Sequence, residues 1–215
     1  MSRNFSQSRR AFTLLELLIS LALVAVLFVA LNQFIFSMGE LWGQGAQRRL
    51  FERHASMVAQ HLQSMLQSAA SRTGDNPPAT VSDSLAGQGG GALVTFELPN
   101  GDRVFPWPEH ALPEVVCAVQ AQPGRGLMLR WISRLEPGFA NGSVRTVILS
   151  AYSQGIEYEY LDRTTHSWNT SPSLQRDAEG KWLLPTRLRV RFVRDNLKTE
   201  RTVFVPVHGN ALPAF

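Results

Sequence analysis

The most sharply polarised stretch runs from Phe12 to Leu31, where only Thr13, Glu16 and Ser20 interrupt an apolar run and Leu21 to Leu31 carries no polar side chain. At ~1.5 Å per residue, such a run crosses roughly the 30 Å hydrocarbon core of a bilayer. It predicts a membrane helix over 12–34. Beyond it, Phe34, Ile35, Met38, Leu41 and Trp42 continue the helical stripe, and Phe51, Ala55, Val58, Leu62, Met65 and Ala69 recur in alternating steps of four and three. That spacing predicts an amphipathic continuation over 35–74, with one face laid on a globular head. Gly39, Gly43 and Gly45 fall between the two parts. Each costs up to about 1 kcal/mol against Ala inside a helix, so a flexible or locally unwound joint is expected there. Gly74 suits a helix C-terminus, and Pro77-Pro78 forbid continuation.

The period then changes from 3.6 to two. Ala92 to Leu98, Val115 to Ala121, Leu127 to Ser133, Val144 to Ala151, Ile156 to Leu161, Arg187 to Val193 and Thr202 to Val207 read as strands. Asn100-Gly101 and Asp195-Asn196 read as turns between them, and Ser82 to Gly91 as a loop. The expected fold is therefore α+β, a long N-terminal helix whose second half packs on a mostly antiparallel sheet head over 75–215. One face of that sheet is expected under the helix and the other partly solvated.

Composition adds little to this outline but removes several functions. The 215 residues are 44% hydrophobic and 18% charged, enough for one membrane segment and one head of ordinary size. The formal net charge is +4. Residues 1–11 hold Arg3, Arg9 and Arg10 and no acid, so a chain beginning at Phe12 would carry +1. The basic excess thus sits where the positive-inside rule wants it, and it implies no nucleic-acid partner. A single cysteine, Cys117, lies in an apolar run and reads as a small buried hydrophobe.

No catalytic or metal-binding constellation emerges. His54 and His61 are seven apart, two helical turns from each other, too far for one metal. His110, His166 and His208 have no ligand-spaced companion, and the glycines at 87–91 lack the Lys-Ser/Thr of a phosphate loop. Asn100-Gly101-Asp102 and Asp177-Ala178-Glu179-Gly180 are too short for a calcium loop. Arg187, Arg189 and Arg191 share one strand face, which reads either as a DNA-binding stripe or as the wet face of a half-buried strand. Without aromatics interleaved on that face for base stacking, the wet face is preferred. No enzyme activity and no cofactor are expected.

Glu16 is the unusual residue, because a carboxylate within the apolar run costs on the order of 3 kcal/mol and needs a partner. Three readings are open. A cleaved secretory signal lacks its small-residue cut site beyond the apolar run. An uncleaved signal anchor explains the length and the flanking arginines but leaves Glu16 without a partner. A cut at Ala11/Phe12 would free a positive amine on Phe12, one helical turn from Glu16.

The residues Arg9-Arg10-Ala11-Phe12-Thr13-Leu14-Leu15-Glu16-Leu17-Leu18 resemble the class III leader of type IV pilins and type II secretion pseudopilins, although Ala11 stands where that family usually has Gly. The resemblance implies that a prepilin peptidase removes 1–11 and methylates the Phe12 amine. It also implies that Phe12 and Glu16 pair between neighbouring subunits during assembly, and that the protein is a single-pass inner-membrane protein with a periplasmic C-terminal head. Ile156 to Asp162, Trp168, and Trp182 through Val190 are further similar to the C-terminal pattern of the J-type minor pseudopilins. That similarity implies the I and K minor pseudopilins and the inner-membrane secretion platform as partners, and a place at the pseudopilus tip. A minor pilin of a type IV pilus, serving assembly, adhesion or DNA uptake, is the alternative within the same machinery. A signal-anchored periplasmic enzyme is the alternative outside it.

Overall fold

The fold is taken from a computed structural model that describes residues 13–70, 77–86, 91–137, 139, 144–162 and 164–206, with side chains at 40–44 and 70 left aside. Helix α1, Leu14–Ala70, is 57 residues long, and nine strands follow it. The chain divides into two compact units, Met1–Arg49 and Leu50–Phe215.

In the first unit, Leu14–Gly39 is long and apolar enough to cross a membrane, with none of that window buried. Its 26 residues rise about 39 Å, sufficient for a bilayer core. The local unwinding expected at Gly39, Gly43 and Gly45 is not seen, since all three are helical. Their flanks supply the reason. Glu40 and Leu41 between Gly39 and Gly43, and Ala46, Gln47, Arg48 and Arg49 after Gly45, are strong helix formers set against a glycine cost of about 1 kcal/mol apiece.

In the second unit, Phe51, Ala55, Leu62, Met65 and Ala69 are buried as their spacing requires, joined by Ala59 and Leu66, while Val58 is only partly covered. A five-stranded antiparallel sheet holds β1 (Ala79–Ser82), β2 (Leu93–Leu98), β3 (Val115–Gln122), β4 (Gly126–Ser133) and β5 (Arg145–Ser150), in sequential order. A four-stranded antiparallel sheet holds β6 (Ser153–Asp162), β7 (Ser167–Ser171), β8 (Arg187–Arg194) and β9 (Leu197–Phe204), in the order β7-β6-β8-β9. The helix residues form one core with Val94, Phe96, Val115, Cys117, Val119 and Trp131 of the first sheet and with Leu188, Val190, Phe192 and Val203 of the second.

The two sheets treat their other faces differently. In the first, Leu93, Val116, Ala118 and Ile132 form a second cluster under Leu85 and Ala86, so its inner strands are buried on both sides. The partly solvated face expected from the sequence belongs to the second sheet, where Leu188, Val190 and Phe192 point inward and Arg187, Arg189 and Arg191 outward.

Two strands were not expected. β1, Ala79-Thr80-Val81-Ser82, alternates but is only a four-residue edge, and β7, Ser167–Ser171, has no regular apolar alternation; each is a strand because a longer neighbour supplies the ladder. β9 starts at Leu197, earlier than Thr202, directly after a two-residue turn in which Asp195 has φ 53°. Gly101 does turn, with φ 66° and its N–H bonded to the Leu98 carbonyl, but the hairpin closes only at β3 after a longer excursion. Gly126 is compulsory: its φ is +91°, and an added Cβ would lie 2.0 Å from the Ser150 carbonyl oxygen.

Candidate functional site

The residues assigned to processing and assembly are Ala11, Phe12 and Glu16; Ala11 and Phe12 lie outside the described residues. At the start of α1, the Glu16 N–H donates to Thr13 Oγ1 at 3.3 Å, and Glu16 Oε2 accepts from the Thr13 N–H at 3.4 Å. The Thr13 hydroxyl lies 3.5 Å from the same carboxylate oxygen. This is a capping box, with Thr13 at the N-cap and Glu16 at the third helical position. Its signature, Thr-x-x-Glu before an apolar run, stands in the sequence, but the carboxylate's depth in that run draws the eye away from its closeness to the helix start.

The capping box changes the physical problem posed by Glu16. Even without a second chain, the carboxylate faces the partial positive charge of a helix N-terminus and two donors of Thr13. An uncleaved anchor therefore does not leave Glu16 without a partner. Yet contacts of 3.3–3.5 Å are at the long limit of hydrogen bonding, so the carboxylate retains capacity for a closer, charged donor. Further along the same helix, Ser20 and Asn32 bond back to the Leu17 and Phe28 carbonyls, which satisfies their polar groups within the helix, as an apolar surrounding would require.

On the outer face of the second sheet, the arginine stripe is tied into its own neighbours. Arg189 bonds the carboxylate of Glu159, which is 3% exposed, and lies 3.9 Å from Glu157. Arg191 reaches Glu157 at 2.7 Å and Glu200 at 3.0 Å. Those partners, the Glu200 hydrogen bond first, raise the Arg191 pKa further above its ordinary value. Arg187 lies 3.7 Å over the Trp168 ring and 4.8 Å from that of Phe204. Cross-strand carboxylates and aromatic faces thus occupy the guanidinium groups that a phosphate backbone would need.

Trp168 is 40% exposed and Trp182 36%, the latter under Arg176 at 3.9 Å. Both indoles of the expected Trp-bearing segment therefore reach solvent, each with a guanidinium against one face.

The histidines are dispersed. His54 Nε2 is 2.9 Å from Ser150 Oγ and its ring packs edge-on against Tyr152, while His61 lies 3.6 Å from Asp102. His110 is exposed beside Glu109, His166 sits in a turn at φ 52°, and His208 lies outside the described residues. Asp102 and Asp177 bond backbone amides of their own turns. Among the described residues, no group of three or more His, Cys, Asp or Glu is placed to hold a metal. Burial, with the Asp102 charge adding to it, pushes the Cys117 thiol well above its ordinary pKa.

Comparison with known proteins bears on the end of the chain that carries the capping box. The family profile described as the prokaryotic N-terminal methylation motif matches residues 6–32, which include Ala11, Phe12, Thr13 and Glu16. No curated protein matches the chain at a significant level. The motif indicates a type IV pilin-like or pseudopilin protein, and the apolar helix in and beyond it suits a membrane anchor.

Proposed function

We propose that the chain is a minor pseudopilin of a type II secretion system, a structural subunit without enzymatic activity that assembles at the pseudopilus tip. A prepilin peptidase cuts between Ala11 and Phe12 and methylates the new Phe12 amine. The mature protein waits in the inner membrane on helix α1, its head in the periplasm. It then joins other pseudopilins, the I and K minor subunits above all, over the inner-membrane secretion platform.

The observation that carries this reading is the Thr13–Glu16 capping box inside the methylation motif. In a single subunit the Glu16 carboxylate is held by long, neutral donors, which keeps it tolerable at the edge of the apolar run. A neighbour's Phe12 amine offers a shorter, charge-assisted bond in a low-dielectric setting. The exchange is favourable only in the correct axial register, so Glu16 acts as a pin that selects it. Methylation leaves the amine charged, so the pairing survives the modification.

The finer assignment, secretion rather than a type IV pilus, leans on the order of strand, Trp168 segment, Leu184-Pro185 step and strand. β6 and β8 are the two strands, the Trp168 segment between them forms β7 rather than a loop, and Trp168 and Trp182 are both exposed. Co-expression of the full chain with I and K minor pseudopilins and the peptidase, followed by detergent extraction and affinity purification of this chain, tests the reading. Recovery of both subunits supports it. Recovery of neither, alongside recovery with the minor pilins of a type IV pilus, transfers the protein to the other machinery.

A further inference from the structure

Beside the C-terminal half of α1, the outer edge of β9 opens on a groove of about 350 Å³. Its helix wall is a polar row, Ser56, Gln60, Gln63 and Gln67, spaced by four, three and four so that the side chains stand one above another. The strand wall runs from Arg201 through Thr202 to Phe204. None of these residues takes part in the membrane helix or the Thr13–Glu16 contact, so a role for the groove stands whether or not the filament reading does.

Gln63 already bonds the backbone of the strand wall. Its carboxamide oxygen accepts the Phe204 N–H at 2.7 Å, and its nitrogen donates to the Phe204 carbonyl at 3.2 Å. A side-chain amide thus does for one residue of an edge strand what a neighbouring strand's peptide group would do. By the period of two, Thr202 turns its N–H and C=O to the same side as Phe204. No side chain among the described residues bonds those two groups. Gln60 and Gln67 stand exposed on either side of Gln63, each with an unengaged donor and acceptor.

The charge in the groove is also open. Arg201 Nε donates to Ser56 Oγ at 3.0 Å, and its Nη1 donates to Thr199 Oγ1 at 2.7 Å and to the Glu200 carbonyl at 2.8 Å. Every acceptor is neutral, and no carboxylate among the described residues lies within ion-pair distance of this guanidinium. The contrast is with Arg189 and Arg191 of β8, both of which are neutralised. Three neutral bonds fix the Arg201 fork in place and leave its positive charge for something else.

We propose that this groove docks an extended, acidic segment of a partner polypeptide, with a carboxylate on Arg201 and peptide groups on the outward edge of Thr202 and the carboxamides of Gln60 and Gln67. The dimensions agree. Gln60 to Gln67 covers about 10 Å of helix, which is the rise of about three extended residues. The uncompensated cation selects an acidic side chain, and the row of amides selects main chain over a lone anion.

The test uses the full-length protein in detergent micelles and a fluorescein-labelled, acetylated and amidated peptide of alternating valine and threonine with one central glutamate. Fluorescence anisotropy should show saturable binding, weakened about tenfold when the peptide's glutamate becomes glutamine. Arg201→Gln should weaken the glutamate peptide by the same factor and leave the glutamine peptide unchanged. Thr202→Pro, which removes an outward N–H and no ladder bond to β8, should weaken both peptides, so the proposal stays testable should Arg201→Gln fail to fold by circular dichroism. Absence of saturable binding overturns it, as does equal binding of the two peptides. Full displacement by equimolar sodium acetate would reassign the groove to a small anion, and self-association lost in Arg201→Gln would reassign it to a second copy of this chain.

Discussion

Replacing Glu16 with Gln separates two roles that Glu16→Ala would confound. The Gln side chain retains an acceptor for the Thr13 N–H, so the capping box persists in neutral form and the helix start loses at most about 1 kcal/mol. Membrane insertion should not suffer, since the change removes a carboxylate whose place in the apolar run costs on the order of 3 kcal/mol. Assembly should suffer heavily. Without the carboxylate, an incoming Phe12 amine enters the filament uncompensated, and leaving one partner of a buried pair alone costs about 3–5 kcal/mol. At about 1.4 kcal/mol per tenfold, that is roughly a hundredfold to several-thousandfold loss in the association constant. The assay is quantitative co-purification of the proposed partner subunits with wild-type and Glu16→Gln protein from equal amounts of membrane, the membrane fraction itself being the control for insertion. Wild-type recovery of partners by Glu16→Gln would refute the register role and leave the Thr13 cap as the whole explanation of Glu16.

The head yields three further predictions. Gly126→Ala forces a Cβ against the Ser150 carbonyl at φ +91° and should cost about 3 kcal/mol or more, a fall in Tm of about 6–12 °C by thermal circular dichroism; an unchanged Tm would contradict the close approach of β4 and β5. Cys117, buried and with its thiol pKa pushed up, should resist a thiol-specific maleimide in folded protein and react fully in guanidinium, whereas rapid native labelling would contradict its place in the core. Glu136 has its pKa lowered, first by its hydrogen bond to Arg145 at 2.5 Å and then by the Ser133 N–H. A lowered folded-state value means stability that is present above the ordinary carboxylate pKa of about 4.3 and is lost as pH falls through the folded value. Glu136→Gln should therefore destabilise at pH 7 and flatten the loss of stability below about pH 4; parallel curves for the two proteins would count against the pair.

Sequence periodicity succeeds where one face of an element meets water and fails where none does. Leu188, Val190 and Phe192 can be assigned inward because Arg187, Arg189 and Arg191 mark the wet side of the same strand. In β3, Val115 to Val119 is apolar on both faces, so the second cluster under Leu85 and Ala86 leaves no trace in the alternation. The helix stripe is legible through Phe51, Leu62 and Met65, yet Ala59 and Leu66 are also buried, since the helix meets two sheets and its covered face is wider than one stripe. β7 carries Ser167-Trp168-Asn169-Thr170-Ser171, in which only Trp168 and Thr170 favour strands, and pairing with β6 makes it a strand.

At the candidate sites, legibility follows sequence distance. The Phe12 and Glu16 spacing, being local, is readable at once, and so in principle is the Thr13 cap. Contacts such as Gln63 with Phe204, Arg201 with Ser56 and Arg187 with Trp168 join residues far apart in the chain or on different strands, and no local pattern announces them. The unwinding expected at Gly39, Gly43 and Gly45 fails for a different reason, because a glycine cost of a few kcal/mol decides nothing until the helix formers on either side are weighed with it.

Assembly through Glu16 requires a positive chain end at Phe12, four residues before the carboxylate. Intact-mass and N-terminal peptide mass spectrometry of the protein isolated from cells that contain the processing peptidase measures this directly. A mature chain beginning at Phe12 and carrying one extra methyl group on its amine is the expected result. A chain that still begins at Met1, or one that begins beyond Leu23, would contradict it.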